Sequence, residues 1–331
     1  MQTYHYARAA TLEEAVRLAT PTDPHEQVRF LAGGTTLVDL MKLDIETPSH
    51  VVDINHLGLD QIEVSPDGRT HIGALVRNAD LARHERIAAQ YPVLAQALLA
   101  GASAQLRNMA TTSGNLLQRT RCVYFRDRAT RCNKRNPGSG CDAIGGHNRN
   151  LAILGTSEHC IASNPSDMNV ALMALDATVH VQGSDGARDI ALRDFYLLPG
   201  DTPHRETVLR TGELITHVSL PPVAPGTRSL YTKLRDRASY EFALASAAVV
   251  LQTRDGHIVS AGVALGGVGT RPWHCPHAEQ VLIGQAASAG LYRQAAQTAL
   301  QDAIAQSENG FKIELARRCL VHTLSTTLPP Q

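Results

Sequence analysis

Four of the six cysteines fall on one stretch of the chain. They are Cys122, Cys132, Cys141 and Cys160, with nine, eight and eighteen residues between successive members. A chain of 331 residues does not need disulfide bonds to fold, so the clustering favours metal ligation. The spacing lacks the C-x2-C pair that zinc ribbons and ferredoxins commonly use. We interpret the four as metal-binding thiolates, with structural zinc and free or disulfide-linked thiols as alternatives. Cys275 and Cys319 stand alone and are expected to be packing residues.

The stretch that carries these cysteines, residues 118–160, is rich in cations and shows little helical or strand periodicity. A loop of this length is uncommon in a compact domain unless something organises it, and a metal cluster would do so. We expect Lys134 and the nearby arginines to offset the negative charge of a tetrathiolate cluster. His147 and His159 are candidate substitute ligands or hydrogen-bond donors. The arginines are Arg119, Arg121, Arg126, Arg128, Arg131 and Arg135.

A paired-glycine turn lies near the N-terminus. Residues 28–32 predict a short buried strand, residues 38–43 predict a helix, and Gly33-Gly34-Thr35-Thr36 stands between them. Free N–H groups at a helix start bind anions, and the two threonine hydroxyls add donors. The turn therefore fits a pyrophosphate, although it is neither G-x-G-x-x-G nor a P-loop, and an ordinary turn is the alternative. Residues 50–54 predict the next strand and complete a βαβ unit.

Two later segments have the composition of turns. Residues 110–116 read ATTSGNL, and residues 163–167 read SNPSD just before a predicted helix. Either segment taken alone is weak evidence, because Ser, Gly, Asn and Asp are common turn residues. Asp167 either caps the helix or binds the ribose or adenine edge of a nucleotide.

The composition is that of a globular protein of two or three domains. Hydrophobic residues make up 43%, and 31 basic side chains balance 31 acidic ones. This balance, without a basic stripe, argues against a nucleic-acid-binding protein. No apolar run approaches the roughly 20 residues that a membrane span needs. The N-terminus lacks a signal-peptide pattern, so we expect a cytoplasmic chain, or a periplasmic one exported with a signal-bearing partner.

Periodicity along the rest of the chain predicts a mixture of helices and strands. A proline-rich linker is predicted at residues 221–226. The expected strands are 71–75, 246–252 and 259–265, and the expected helices are 11–20, 79–89, 92–101, 276–283, 290–306 and 311–324, with a helix and then a strand over 168–180.

Five motifs in a fixed order resemble the FAD-binding, medium subunits of the xanthine dehydrogenase and aldehyde oxidoreductase family of molybdenum hydroxylases. The resemblance extends over nearly the whole chain, and five motifs in a fixed order are far more specific than any one of them. One departure is Ser113, which stands where the family has glycine; we expect serine to be tolerated if Gly114 makes the close approach. The motifs are Ala32–Thr35, Thr111–Asn115, Asn164–Asp167, Tyr231–Lys233 and Leu265–Pro272.

The resemblance implies an α+β fold. Its first part would be a bipartite FAD-binding domain of the vanillyl-alcohol-oxidase type, placed at residues 1–222. The subdomains would be about 1–57 and 58–222, with the cysteine-rich loop at about 118–160. A small α+β C-terminal domain would follow at residues 228–326.

Carried over by position, the resemblance also implies the residues that hold FAD. Asp167 would hold the ribose. Gly101, Ile215 and Lys233 would lie near the isoalloxazine ring, where a lysine cation stabilises the reduced, anionic flavin; a solvated surface lysine is the alternative. The remaining contacts, around the pyrophosphate, would be Arg29, Phe30, Leu31, Ala32, Gly33, Gly34, Thr35, Thr36, Leu37, Thr111, Ser113, Gly114 and Asn115.

The cysteine loop resembles an insertion found in the flavin subunits of periplasmic aldehyde oxidoreductases and 4-hydroxybenzoyl-CoA reductases, which carry a [4Fe-4S] cluster. The resemblance thus implies FAD and a [4Fe-4S] cluster here, the latter held by Cys122, Cys132, Cys141 and Cys160. It implies a large partner subunit with the molybdenum cofactor and a small one with [2Fe-2S] clusters.

The implied function is electron transfer within an aldehyde oxidoreductase, from the [2Fe-2S] centres to FAD and on to an external acceptor. No catalytic acid–base pair is visible in this chain. The alternatives are the flavin subunit of a 4-hydroxybenzoyl-CoA-reductase-like or other molybdenum hydroxylase, a stand-alone flavin oxidase, and a zinc-stabilised structural subunit.

Overall fold

A computed structural model describes residues 1–23 and 25–330. The first elements are β1 (His5–Arg8), α1 (Leu12–Ala19), β2 (Val28–Leu31), α2 (Leu37–Lys42) and β3 (His50–Asp53). The strands form a three-stranded parallel sheet in the order β1-β3-β2. Because β2 and β3 are parallel, α2 is the crossover between them, and the glycine turn lies at the carboxyl end of β2.

The middle of the chain forms a five-stranded antiparallel sheet with helices packed on one face. Its elements are β4 (Ile62–Val64), β5 (Thr70–Gly73), α3 (Asn78–Arg83), α4 (Glu85–Gln90), α5 (Pro92–Ala100), α6 (Ala104–Arg107), α7 (Thr112–Leu116), α8 (Val123–Arg126), α9 (Asp167–Ala174), β6 (Thr178–Gly183), β7 (Gly186–Ala191), α10 (Leu192–Phe195) and β8 (Leu214–Leu220). The strand order is β4-β5-β8-β6-β7. Alternation along β6 sends Val179 and Val181 into the core and His180 to the opposite face.

The C-terminal part is a four-stranded antiparallel sheet with three helices. Its elements are β9 (Thr227–Leu234), β10 (Ala245–Arg254), β11 (His257–Gly266), β12 (Trp273–His274), α11 (Pro276–Leu282), α12 (Ala289–Ala299) and α13 (Phe311–Thr327). The strand order is β12-β11-β10-β9. Along β10, Ala247 and Val249 lie in the C-terminal core, whereas Ala248 lies in the core of the middle part. The sheet is therefore buried on both faces and joins the two cores.

The cysteine loop is compact even though α8 and the isolated bridges are its only regular structure among the described residues. It has its own apolar cluster, in which Phe125, Ala143 and Leu151 pack with the cysteines and with Leu40 of α2. Arg135 donates to the carbonyl oxygens of Tyr124 (2.6 Å) and Phe125 (2.8 Å). Side-chain contacts and side-chain hydrogen bonds thus hold this loop in place, whereas backbone hydrogen bonds of helices and strands do so elsewhere in the chain.

The expected helices and strands are found, with two main differences in extent. The helix expected at 79–89 is broken at His84, whose backbone is extended (φ −61°, ψ 126°). The helix expected at 290–306 ends at Ala299. Strands β1, β4, β7, β8 and β12 were not identified as strands in the sequence, and β9 was expected only through the Tyr231–Lys233 motif. Within the described residues, no helix is long and apolar enough to cross a membrane.

Candidate cofactor cavity and cysteine cluster

A cavity of about 610 Å³ opens between the three-stranded and five-stranded sheets. Its walls are the glycine turn and α2, the loop leading into α7, and the segment 196–215 that ends in β8. This volume is within the range of small-molecule and cofactor sites. The cavity also receives Lys134 and Cys160 from the cysteine loop, so the two predicted cofactor sites adjoin.

The glycine turn presents unused donors to this cavity. Gly34 has a φ of +72°, the left-handed conformation that favours glycine. Within the part of the chain that the structure describes, no acceptor takes a hydrogen bond from the N–H groups of residues 33–36. The hydroxyls of Thr35 and Thr36 are likewise unpaired there. Accessible, convergent donors of this kind fit an anionic group such as a pyrophosphate.

The second loop is held beside the first by its own hydrogen bonds. Thr111 caps α7, its hydroxyl accepting from the N–H of Gly114 at 3.2 Å. The N–H of Ser113 donates to the carbonyl of Ala74 at 2.9 Å, which fixes this loop to the middle sheet. Ser113 is a helical residue of α7 and is one of the residues that line the cavity.

Two residues that the sequence reasoning missed position the loops. Asn55 donates from Nδ2 to the carbonyl oxygens of Leu31 (3.3 Å) and Ala32 (3.0 Å), just before the glycine turn. Arg77 donates to the Asn55 Oδ1 (3.2 Å) and to the carbonyl oxygen of Met109 (2.5 Å). Arg77 therefore ties the two loops together, and nothing in its local sequence signals that role.

The seventeen predicted FAD contacts fall into two groups. Five do not line the cavity: Leu31, Gly101, Asn115, Asp167 and Lys233. The other twelve do line it, and they are Arg29, Phe30, Ala32, Gly33, Gly34, Thr35, Thr36, Leu37, Thr111, Ser113, Gly114 and Ile215. The assignment of individual residues to parts of FAD stays a prediction.

Three of the five outlying residues meet at a second, buried cluster. Lys233 Nζ lies 2.8 Å from Asp167 Oδ2, and both side chains are under a tenth exposed. The Tyr231 hydroxyl donates to Asp167 Oδ1 at 2.5 Å, and burial beside this carboxylate raises the pKa of Tyr231. Gly101 lies against the same carboxylate. Lys233 is thus not a solvated surface lysine, and Asp167 already has two partners for its oxygens.

An ion-pair network lines the cavity where it adjoins the cysteine loop. Glu46 pairs with Arg29 (3.0 Å) and with Arg119, and Glu206 pairs with Arg119 (3.0 Å) and with Lys134 (2.8 Å). Burial acts against the charged forms, but the two cations outweigh it and lower the pKa of Glu206. In the same way the two carboxylates raise the pKa of Arg119. The network places three cations and two carboxylates in this wall, so the wall carries a net positive charge.

The other arginines of the loop are also engaged rather than free. Arg121 and Arg126 pair with Asp39, Arg128 pairs with Asp44, and Arg131 pairs with Asp142. These four arginines share three carboxylates, so their positive charges are offset only in part. Lys134 is the cation that lowers the pKa of Cys160, against the larger effect of burial, which raises it.

The four cysteines lie together in the apolar cluster of the loop. Cys122, Cys132 and Cys160 are buried, Cys141 is half-buried, and all four are free thiols. Cys132 and Cys141 face each other across an isolated β-bridge. Burial raises the pKa of Cys122 to about 12, and the neighbouring thiols Cys132 and Cys160 add to that effect. Ligation would therefore have to supply the positive charge that makes these groups thiolates.

The spacing of the sulfur atoms bears on the kind of metal site. Four thiolates around one zinc ion lie about 3.8 Å apart, as Zn–S bonds of about 2.3 Å require. Among the described residues, no three of these cysteines bring their sulfur atoms within 4.8 Å of one another. His147, 91% exposed, and His159 join no such group either. The sulfur atoms as placed therefore do not have the spacing of a mononuclear zinc site.

The family assignment rests on both halves of the chain. Residues 2–223 match the family described as FAD binding domain in molybdopterin dehydrogenase. Residues 229–327 match the CO dehydrogenase flavoprotein C-terminal domain. The chain belongs to the FAD-binding subunits of the molybdenum hydroxylases. The family resemblance and the α+β fold that it implied are confirmed, and this FAD subunit is part of an oxidoreductase.

Relatives and solved structures agree with this assignment. The FAD subunit is 52% identical over 326 residues to the aldehyde oxidoreductase FAD-binding subunit PaoB of Escherichia coli (strain K12), with 98% of each chain covered. It is 28% identical to the glyceraldehyde dehydrogenase medium chain of Sulfolobus acidocaldarius, covering 85% of this chain and 82% of that one. Its fold matches the reconstituted CO dehydrogenase from Oligotropha carboxidovorans with a TM-score of 0.77, at 26% identity and 98% coverage of both chains.

Proposed function

We propose that this FAD subunit carries electrons within a heterotrimeric, molybdenum-dependent aldehyde oxidoreductase. A large subunit would hold the molybdenum cofactor and oxidise the aldehyde, and a small subunit would hold [2Fe-2S] clusters. The FAD held here would receive those electrons and deliver them to an external acceptor. The observation that carries the proposal is the 52% identity to PaoB across nearly the whole of both chains.

FAD supplies the exchange between one-electron and two-electron transfer in this proposal. The residues of this chain hold it and control its surroundings. The free N–H groups of residues 33–36 and the hydroxyl of Ser113 would bind the pyrophosphate, while Asn55 and Arg77 keep the two loops in register. Lys233 and Asp167 form a buried pair beside Gly101 and do not line this cavity, so their places near the isoalloxazine ring and the ribose stay predictions.

We further propose that Cys122, Cys132, Cys141 and Cys160 hold a [4Fe-4S] cluster. Two features of the loop support this: the four thiols share one apolar cluster, and their sulfur atoms are set wider than a single zinc ion would require. Cys160 and Lys134 line both this loop and the FAD cavity, so the cluster would adjoin the flavin. Iron, zinc and acid-labile sulfide counted on one purified sample would test this. About four irons and four sulfides per chain are expected, and zinc in their place would overturn the proposal.

The function itself is tested by expressing the chain with and without its two partner subunits. Aldehyde-dependent reduction of an artificial electron acceptor is expected only when all three subunits are present. The purified chain alone should bind FAD and reduce no acceptor with aldehyde. Turnover of aldehyde by the isolated chain would overturn the proposal and identify a self-sufficient flavin oxidase.

A further inference from the structure

Three histidines from three strands meet on the open face of the five-stranded sheet. His71 lies on β5, His217 on β8 and His180 on β6, the three strands that are adjacent in the order β5-β8-β6. Their neighbours in sequence, Ile72, Val179 and Val218, are buried in the core on the other face. The alternation of the strands therefore forces the three imidazoles onto the same, outer face.

The imidazoles are close enough to share one ion. One ring nitrogen from each lies within 4.8 Å of the other two, and all three residues are half-buried. The ring centroids of His180 and His217 are 4.0 Å apart, and those of His71 and His217 are 5.0 Å apart. A tetrahedral zinc site needs ligand nitrogens about 3.3 Å apart, as Zn–N bonds of about 2.0–2.1 Å require. The His180 and His217 rings are stacked with 5° between their planes, so one of them must turn before both lone pairs meet at one ion.

Hydrogen bonds on the far side of two rings set their tautomers. His180 Nδ1 lies 2.6 Å from Asp189 Oδ1, so this nitrogen carries the proton that the carboxylate accepts. The remaining nitrogen of His180, Nε2, then offers its lone pair, which at present accepts from the Ser219 hydroxyl at 2.8 Å. A carboxylate that orients a ligating histidine in this way is typical of zinc sites.

His217 is oriented in a similar way. The Thr216 hydroxyl donates to the backbone carbonyl of His180 at 3.2 Å, so its oxygen accepts from His217 Nδ1 at 3.0 Å. The Nε2 atom of His217 is left with a free lone pair.

The charges around the triad suit a cation. Asp189 of β7 is paired with His180 in the ladder, and Glu63 of β4 is paired with His71. Residues paired directly across a ladder lie on the same face, so two carboxylates flank the three imidazoles. Neutral imidazole nitrogens favour zinc, copper and nickel over magnesium and calcium.

We propose that His71, His180 and His217 bind one divalent transition-metal ion of the zinc class, with the fourth position open to solvent. The ion would clamp β5, β8 and β6 together. The site is independent of the cysteine loop and of the FAD cavity, which no histidine of the triad lines. The metal-site proposal can therefore fail without affecting the proposed electron-transfer function, and the reverse also holds.

The test measures zinc binding to the purified FAD-loaded protein after treatment with a mild chelator and desalting. His217→Gln and His71→Gln remove one ligand each from different strands, and His277→Gln is the matched control, an exposed histidine on α11. Wild type and His277→Gln should bind about one zinc more per chain than either triad variant, and zinc should raise their unfolding temperature. Asp189→Asn keeps all three imidazoles and should weaken zinc binding by about 10- to 100-fold.

Flavin content and the unfolding temperature without zinc show whether each variant is folded. Equal zinc binding by wild type and by both folded triad variants would overturn the proposal. So would the absence of zinc binding by the wild-type protein at micromolar free zinc.

Discussion

Gly33→Ala is the substitution that most directly probes the geometry of the cavity. An ideal Cβ at Gly33 would lie 2.7 Å from the carbonyl carbon of Met109 and closer still to its oxygen. Favourable contacts between non-bonded atoms begin near 3.5 Å, so the two loops must separate by about 1 Å. That carbonyl also accepts from Arg77, so the movement cannot be absorbed by a free side chain.

This separation of the two loops should weaken FAD binding and leave the protein folded. The donors of residues 33–36 and the hydroxyl of Ser113 would no longer reach one pyrophosphate together. Losing about two hydrogen bonds to a charged group, at about 1.5 kcal/mol or more each, weakens binding on the order of 100-fold.

The assay is titration of the flavin-free protein with FAD, followed by calorimetry or by quenching of flavin fluorescence. Gly290→Ala is the matched control, because a Cβ added there meets nothing closer than 4.0 Å. We expect Gly290→Ala to bind as wild type does. If a folded Gly33→Ala protein binds FAD within threefold of wild type, the two loops do not form the phosphate site and the reasoning is refuted.

Three further predictions concern other parts of the chain. Lys312→Met should lower the free energy of unfolding by about 3 kcal/mol or more, because the carbonyl oxygens of three residues lose the buried Nζ donor. Burial lowers the pKa of Lys312 to about 7, so between pH 7 and about 10.5 the unfolded chain binds one proton more than the folded chain. The free energy of unfolding of the wild-type protein should therefore rise with pH across that window. Urea unfolding at pH 7 and pH 9 checks whether Lys312→Met loses this dependence on pH. Glu206→Gln should lower the free energy of unfolding by about 1–3 kcal/mol, because Arg119 and Lys134 lose a shared carboxylate. The pKa of Glu206 is lowered in the folded protein, so its contribution to stability declines as the pH falls below about 4.5. Thermal unfolding at pH 7 and pH 4 should show that the variant lacks this part of the acid sensitivity. Cys160→Ala should lose most of the iron and keep FAD, whereas Cys275→Ala, buried far from the loop in the C-terminal core, should keep both in the same metal and flavin assay.

Local patterns in the sequence were sufficient to predict much of the fold. The helix α1 follows from Thr11 as its cap and from the spacing of Ala15, Val16 and Ala19, which are buried as expected. The βα turn at Gly33 and Gly34 follows from a short apolar strand running into glycines. Strands such as β1 and β7, which are short and largely exposed, carry no comparable apolar alternation.

The contacts that join distant segments could not be predicted from any local pattern. Arg77 and Met109 are 32 residues apart, and Arg119 and Glu206 are 87 apart, yet these pairs position the cavity and its wall. The arginines of the cysteine loop were expected to face the cluster, whereas most pair with carboxylates from other segments. The histidine triad likewise depends on strand order, which sequence spacing does not reveal.

The most direct test of the central claim is the absorption spectrum of the purified chain, with its flavin released by acid and counted. Binding in the cavity between the glycine turn and the Thr111 loop predicts about one FAD per chain in the wild-type protein and in Cys160→Ala, and a lower FAD content in Gly33→Ala. A folded wild-type chain that is free of flavin and cannot be reconstituted with FAD would contradict the account.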